Sequence, residues 1–248
     1  MFVKKYGNGK RIFAGFHGWS GDHRTFEPLM KYLPENSSFY SFDLPGAGKS
    51  PAPERWTREN IEKILQESLQ SIELEQITLV GNCSGAILSL LIAKQDAEKI
   101  TRLVLIDPFA YLPWYFSIFL NKYFGKKTYM LTFANKFGRA ITNSVLKYRR
   151  TKKSNLTNSF TSVNHNTVYE YLKLLSSMGK PEQFGGLNQP IDIIYGRKTF
   201  RAVKKSINIW KEIFPNAIAH ELPEAGHLPI EESPYKLSNI IFHKYNNS

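Results

Sequence analysis

The chain has 248 residues, 42% of them hydrophobic, a single cysteine, and 33 Lys or Arg against 21 Asp or Glu. That length suits one large α/β domain with a core needing no staple; one cysteine excludes an internal disulfide and suits a reducing compartment, so the cytoplasm is the expected location. The formal charge of +12 favours acidic partners such as anionic lipid, an acidic carrier protein or nucleic acid, but no nucleic-acid motif and no metal-ligand spacing organises the basic residues, no run of about 18 apolar residues would span a membrane, and Met1 to Arg11 lacks the apolar stretch of a secretory leader.

Short β-rich runs alternate with helical ones, the pattern of a mostly parallel sheet flanked by helices. Ile12 to His17 reads as a strand opening into the loop His17-Gly18-Trp19-Ser20-Gly21, followed by a helix from Thr25 to Leu33. Ser38 to Phe42 is the next strand and ends at Asp43-Leu44-Pro45-Gly46-Ala47-Gly48. From Thr57, a good N-cap, to Ile72 the apolar residues recur at helical spacing, with Ile61, Ile64, Leu65 and Leu69 on one face. Ile77 to Val80 is a buried-strand run that reaches Gly81-Asn82-Cys83-Ser84-Gly85 and passes directly into an apolar helix, Ala86 to Lys94. Leu103 to Ile106, closed by Asp107-Pro108, then Ile191 to Tyr195 and Ala217 to Leu222, complete the strands; a last helix runs from Pro234 to His243.

Between Phe109 and Glu182 the rhythm stops. An aromatic, basic insert of this length is too long for a plain loop and is expected to be a helical cap (109–182) on a core formed by 1–108 and 183–248. The polar stretch from Lys152 to Asn166 is expected to be mobile. Lys and Arg are spread along the whole chain, with denser groups at Lys126-Lys127 and from Tyr148 to Lys153. Trp114 to Phe124, beside Lys122, Lys126 and Lys127, could line a pocket or touch a membrane surface.

Strand, tight turn and helix at Gly81 to Gly85 suit a nucleophile lifted clear of a sheet, because the turn crowds the positions two before and two after its apex. The apex is Cys83, and the amide of Ser84 opens a helix whose free N–H groups and dipole favour an anion. The turn at His17-Gly18-Trp19 can aim the Trp19 amide at the same oxyanion. His227, in Ala225-Gly226-His227, is the natural base for Cys83. The residues also admit Cys83 as a small buried hydrophobe, Ser84 as nucleophile and His227 as a packing residue; His17 is better placed to brace the oxyanion loop than to move a proton. Gly46-Ala47-Gly48-Lys49-Ser50 imitates the tail of a phosphate loop, but Asp43 occupies the position that needs glycine and prolines follow.

Through His17-Gly18-Trp19, Asp43 to Ser50, Gly81 to Gly85 and Ala225-Gly226-His227, in that order, the chain resembles the α/β-hydrolase superfamily over nearly its whole length. The resemblance implies a nucleophile at Cys83, a base at His227, oxyanion amides at Trp19 and Ser84, and a lid in the insert, with no cofactor. Two departures stand out. Most members carry serine at the apex, and the usual acid position is Thr199. Some relatives take the acid from the end of the strand after the nucleophile, where Asp107 stands; a Cys–His dyad with no acid is the alternative. The expected activity is thioester hydrolysis or acyl transfer on a small acyl substrate delivered as a CoA thioester or by an acidic acyl carrier protein. The rivals are a carboxylesterase or lipase and a catalytically degenerate ligand-binding relative.

Overall fold

The computed structural model describes residues 1–71, 75–151 and 154–242; Ile72, Lys152, Lys153 and His243, all named above, lie outside them. One seven-stranded sheet has the order β1-β3-β2-β4-β5-β6-β7, with β1 (Val3–Tyr6), β2 (Arg11–Phe16), β3 (Ser37–Phe42), β4 (Ile77–Asn82), β5 (Ile100–Ile106), β6 (Ile191–Gly196) and β7 (Ile218–Leu222). Neighbouring strands are parallel except β1, which pairs antiparallel with β3. The mostly parallel sheet flanked by helices is the architecture expected. β1 is an addition: Val-Lys-Lys-Tyr is short and half charged, and an edge strand needs only one partner, its exposed lysines discouraging a second.

The helices are α1 (Glu27–Met30), α2 (Arg58–Gln70), α3 (Ser84–Gln95), α4 (Ser117–Leu120), α5 (Gly125–Tyr129), α6 (Lys136–Val145), α7 (His165–Ser176), α8 (Arg201–Ile213), α9 (Pro229–Glu232) and α10 (Pro234–Phe242). Alternation along the strands divides the core into two layers. In β2, Ala14 and Phe16 join the cluster covered by α2, α3 and α8, while Phe13 joins the cluster covered by α1 and α10. Thr57 is extended and accepts from the Asn60 amide at 3.4 Å, which starts α2. α8 lies where the sequence reading placed no element, although Val203, Ile207 and Trp210 recur at helical spacing and are buried. The helix expected over Thr25 to Leu33 is a single 3₁₀ turn, His23–Phe26, followed by one α-turn. Pro28 lacks the N–H that an α-turn begun at Arg24 would require.

Between β5 and β6 lie α4 to α7 and the π-helical Met130–Ala134. They share a cluster of their own, Tyr129, Phe133, Phe160, Val168 and Tyr169, against which Trp19 of the sheet's loop packs.

β4 passes into α3 with almost no room. A Cβ at Gly81 would stand 2.4 Å from the Ala86 Cα, and one at Gly85 would stand 2.0 Å from the Phe16 carbonyl oxygen. Gly85→Ala must therefore push α3 away from β2. The expected cost is about 1–3 kcal/mol, read by calorimetry as a Tm about 3–10 °C lower at this chain length.

Candidate active site

Cys83 joins β4 to α3 at φ 53° and ψ −113°, a left-handed conformation for a residue that is not glycine. Such a backbone costs about 1–3 kcal/mol and persists only where its surroundings impose it. Here the Cys83 amide donates to the Ile106 carbonyl at 2.8 Å, tying the turn to the end of β5. The side chain is half-buried and borders two cavities.

The loop after β7 brings His227 to it, and the imidazole is within hydrogen-bonding reach of the thiol. On its other side, Nδ1 lies 2.7 Å from Asp107 Oδ2. Asp107 ends β5 at φ 47° and is completely buried. Its Oδ1 accepts from the Gly196 amide at 3.1 Å, and its Oδ2 also accepts from the Thr199 hydroxyl at 2.5 Å. Thr199, at the usual acid position, thus holds the carboxylate that β5 supplies instead. Phe200 and Phe109 pack against the imidazole with centroids 4.6 and 5.6 Å away. Burial alone would lower the His227 pKa; hydrogen bonds to Asp107 and Cys83, and their charges, outweigh it and raise it from 6.5 to about 10. These partners favour the imidazolium at neutral pH.

The insert takes part directly. The His227 amide donates to the Arg149 carbonyl at 2.8 Å, and the Arg149 guanidinium donates to the Thr199 carbonyl at 3.2 Å. Glu232 accepts from the Gly226 and Thr151 amides, each at 2.5 Å, and from the Ser154 hydroxyl. Sequence reasoning found none of Thr199's contacts, Arg149, Phe200 or Glu232 as site residues, because each matters only through a neighbour that the fold delivers.

The loop after β2 runs against the apex: a Cβ at Gly18 would lie 3.0 Å from the Cys83 Cβ. Gly21 N–H bonds back to the Gly18 carbonyl at 3.0 Å, closing the turn that carries Trp19. His17 accepts from the Leu44 amide at Nε2, 3.0 Å, so Nδ1 bears the proton and donates to the Gly18 carbonyl at 2.8 Å. Burial lowers its pKa. His17 is a neutral brace. Among the described residues, neither the Trp19 nor the Ser84 amide donates to a backbone carbonyl. The buried Ser84 hydroxyl has no hydrogen-bond partner, so no base acts on it. The Trp19 indole donates to the Val168 carbonyl at 2.9 Å and lies among Phe116, Phe133 and Phe160 of the insert.

One cavity at Cys83 is an apolar slot of about 100 Å³ walled by Ser84, Ile87, Leu172, Met178 and Phe184. The other, about 670 Å³, is bordered by His227, Phe119, Phe133, Arg149 and Phe200. A third space, about 500 Å³, lies beside His23 and Gly46 to Lys49. The amides of that loop are turned onto their own carboxylate: Asp43 accepts from His23 and Lys49 N–H at 2.6 and 2.7 Å. Gly48 sits at φ 52°, and a Cβ there would fall 2.3 Å from Asp43 Oδ2, so the position requires glycine. Asp22, His23 and Asp43 bring three candidate ligand atoms within 4.8 Å of one another, but Arg24 already pairs with Asp22 and the loop amides with Asp43. The cluster is a clamp.

Comparison with known proteins gives a consistent picture. Residues 16–234 match the family model described as the alpha/beta hydrolase fold. The chain is 22% identical over 273 residues to an uncharacterized hydrolase, YugF, of Bacillus subtilis, covering 97% of this chain and 92% of that protein. It is 27% identical over 104 residues to a pimeloyl-[acyl-carrier protein] methyl ester esterase of Legionella pneumophila, covering 42% of this chain and 40% of the relative. Among solved structures, an esterase from Exiguobacterium antarcticum superposes with a TM-score of 0.80 at 15% identity, over 97% of this chain and 93% of its own.

Proposed function

The chain belongs to the alpha/beta hydrolase family, and from that premise we propose that it cleaves or transfers acyl groups through a thioester formed on Cys83. One observation carries the reading: the imidazole beside the apex thiol has its Nδ1 2.7 Å from a buried carboxylate, which favours the protonated ring. Sulfur attacks the acyl carbon, and the oxyanion faces the Trp19 and Ser84 amides. The His227 imidazolium gives its proton to the departing thiolate or alkoxide as the carbon–sulfur or carbon–oxygen bond breaks. Once Cys83 is acylated, its share in keeping His227 protonated is lost. The neutral ring can then take a proton from water or another acceptor, which attacks the acyl carbon and expels the Cys83 thiolate.

The slot beside Ser84 suits the acyl chain and the wider cavity suits the leaving group and acceptor. The insert is the lid of both. Thioesters are the preferred substrate class, because thiolate attack on them is near-isoenergetic whereas an oxygen ester expels a poorer leaving group. The second reading is an oxygen-ester hydrolase, favoured by the name of the Legionella relative. Incubation with a series of acyl-CoA thioesters and p-nitrophenyl esters, read by intact mass, is expected to show one acyl adduct on Cys83. Absence of adduct and of turnover for every chain length would overturn the proposal; faster turnover of oxygen esters would select the second reading.

A further inference from the structure

Between Asp107 and Glu170 the chain has no acidic residue and ten Lys or Arg, which leaves 23 basic against 21 acidic residues elsewhere. Nearly the whole positive excess sits in the insert. Within it, α6 is turned inside out. Phe137, Ile141, Val145 and, one turn beyond the helix, Tyr148 recur on one side and are 78, 66, 71 and 74% exposed. The polar side faces the protein: the Arg139 guanidinium donates to the Phe133 and Ala134 carbonyls at 3.0 and 2.7 Å, and Asn143 Oδ1 accepts from the Leu156 amide at 3.1 Å. A surface helix ordinarily turns its apolar stripe to the core. Nothing in α6 is buried, so the stripe is a ridge.

The segment just before the helix extends it. Gly138 packs against the Leu131 backbone, where a Cβ would meet the carbonyl oxygen at 1.8 Å, and Leu131 is itself 58% exposed. Elsewhere in the insert, before α6, Trp114 and Tyr123 are 85 and 82% exposed. Lysines stand beside these aromatics, with Lys122 Nζ 4.7 Å from the Tyr123 centroid and Lys147 Nζ 5.0 Å from that of Tyr148.

We propose that this face of the insert docks on an anionic membrane surface, with the apolar ridge at the acyl boundary and the lysines among the headgroups. Charge alone would suit an acidic carrier protein equally. The protruding apolar ridge selects the bilayer, because large side chains that find no protein pocket are solvated by acyl chains, and lysines flanking them reach the headgroups. The inner face of the same helix borders the wide cavity through Thr142, and Leu146 just past its end borders it too, so docking sets one cavity wall against the lipid. The proposal does not depend on Cys83 being a nucleophile.

Flotation of the full chain with phosphatidylcholine vesicles, with and without about one-third phosphatidylglycerol, tests it. Partitioning to the anionic vesicles is expected to be at least about tenfold the stronger, and Phe137→Ser with Ile141→Ser to reduce it about tenfold or more. Neither side chain borders either cavity at Cys83, so thermal midpoint and labelling of Cys83 by a soluble electrophile should stay as in the parent chain. Equal binding to neutral vesicles, or anionic binding untouched by the double substitution, overturns the proposal. So does failure to float with the anionic vesicles; a dimer, or retention of an acidic carrier protein, that the double substitution abolishes would then name the ridge's occupant instead.

Discussion

Cys83→Ala is expected to lower kcat/KM by at least about 10³-fold while the chain stays folded. The Trp19 and Ser84 amides proposed to hold the oxyanion and both cavities survive the substitution, so the remaining rate should still exceed that in water. Cys83→Ser is the more informative variant. A serine hydroxyl must lose its proton to His227 as it attacks, whereas burial is opposed at that ring by Asp107, which favours the protonated form. Serine should therefore retain no more than about one hundredth of the activity, despite being the residue most of the family carries. Steady-state kinetics on one thioester and one oxygen ester, with melts run in parallel, read both outcomes. A serine variant faster than the parent would show that the site is tuned for a hydroxyl; an alanine variant with undiminished turnover would move the chemistry off the apex altogether.

The parts of this molecule that sequence makes legible are those fixed by local physics. Ile77 to Val80 is a buried strand in any parallel sheet, and Gly81 and Gly85 are required by atoms within a few residues or on the adjacent strand. Thr57 caps its helix through a hydrogen bond three residues away. The Asp107 carboxylate is different. Aspartate before proline at a strand end is also ordinary turn chemistry, and only the meeting of β5, β6 and the loop after β7 gives it Gly196, Thr199 and His227 as partners. Thr199 looked like a missing acid for the same reason. Charge shows the converse failure. The basic residues are spread along the chain with two denser groups, but acidic residues are absent from one segment, and that absence, readable in the sequence, concentrates the excess on the insert. α6 has helical periodicity that would normally orient it; its polar hydrogen bonds to the insert's own backbone reverse it.

Asp107→Asn is expected to lower kcat by about 10²–10⁴-fold, against less than about tenfold for a self-sufficient Cys–His dyad. The carboxylate accepts three hydrogen bonds, from Gly196 N–H, the Thr199 hydroxyl and His227 Nδ1–H. An asparagine has one acceptor oxygen, so its NH₂ must face at least one of those donors, and the ring loses the bond that fixes its tautomer. The pH profile separates this from a general loss of packing. In the parent, the raised pKa keeps His227 protonated until about pH 10, and acylation should fall only as pH rises through that value, when the proton for the leaving group is gone. Without Asp107 both its hydrogen bond and its charge are removed, burial is opposed by Cys83 alone, and the alkaline limb should move to lower pH. Linkage gives the same sign for stability: the imidazolium's contribution is fully present below the unfolded value of 6.5 and is lost on the way to about 10, so the parent's advantage in Tm should narrow over that interval. An Asn variant that keeps the parent's limb and its Tm advantage at alkaline pH would leave the proton on His227 to Cys83 alone and return Asp107 to the role of a strand-end turn.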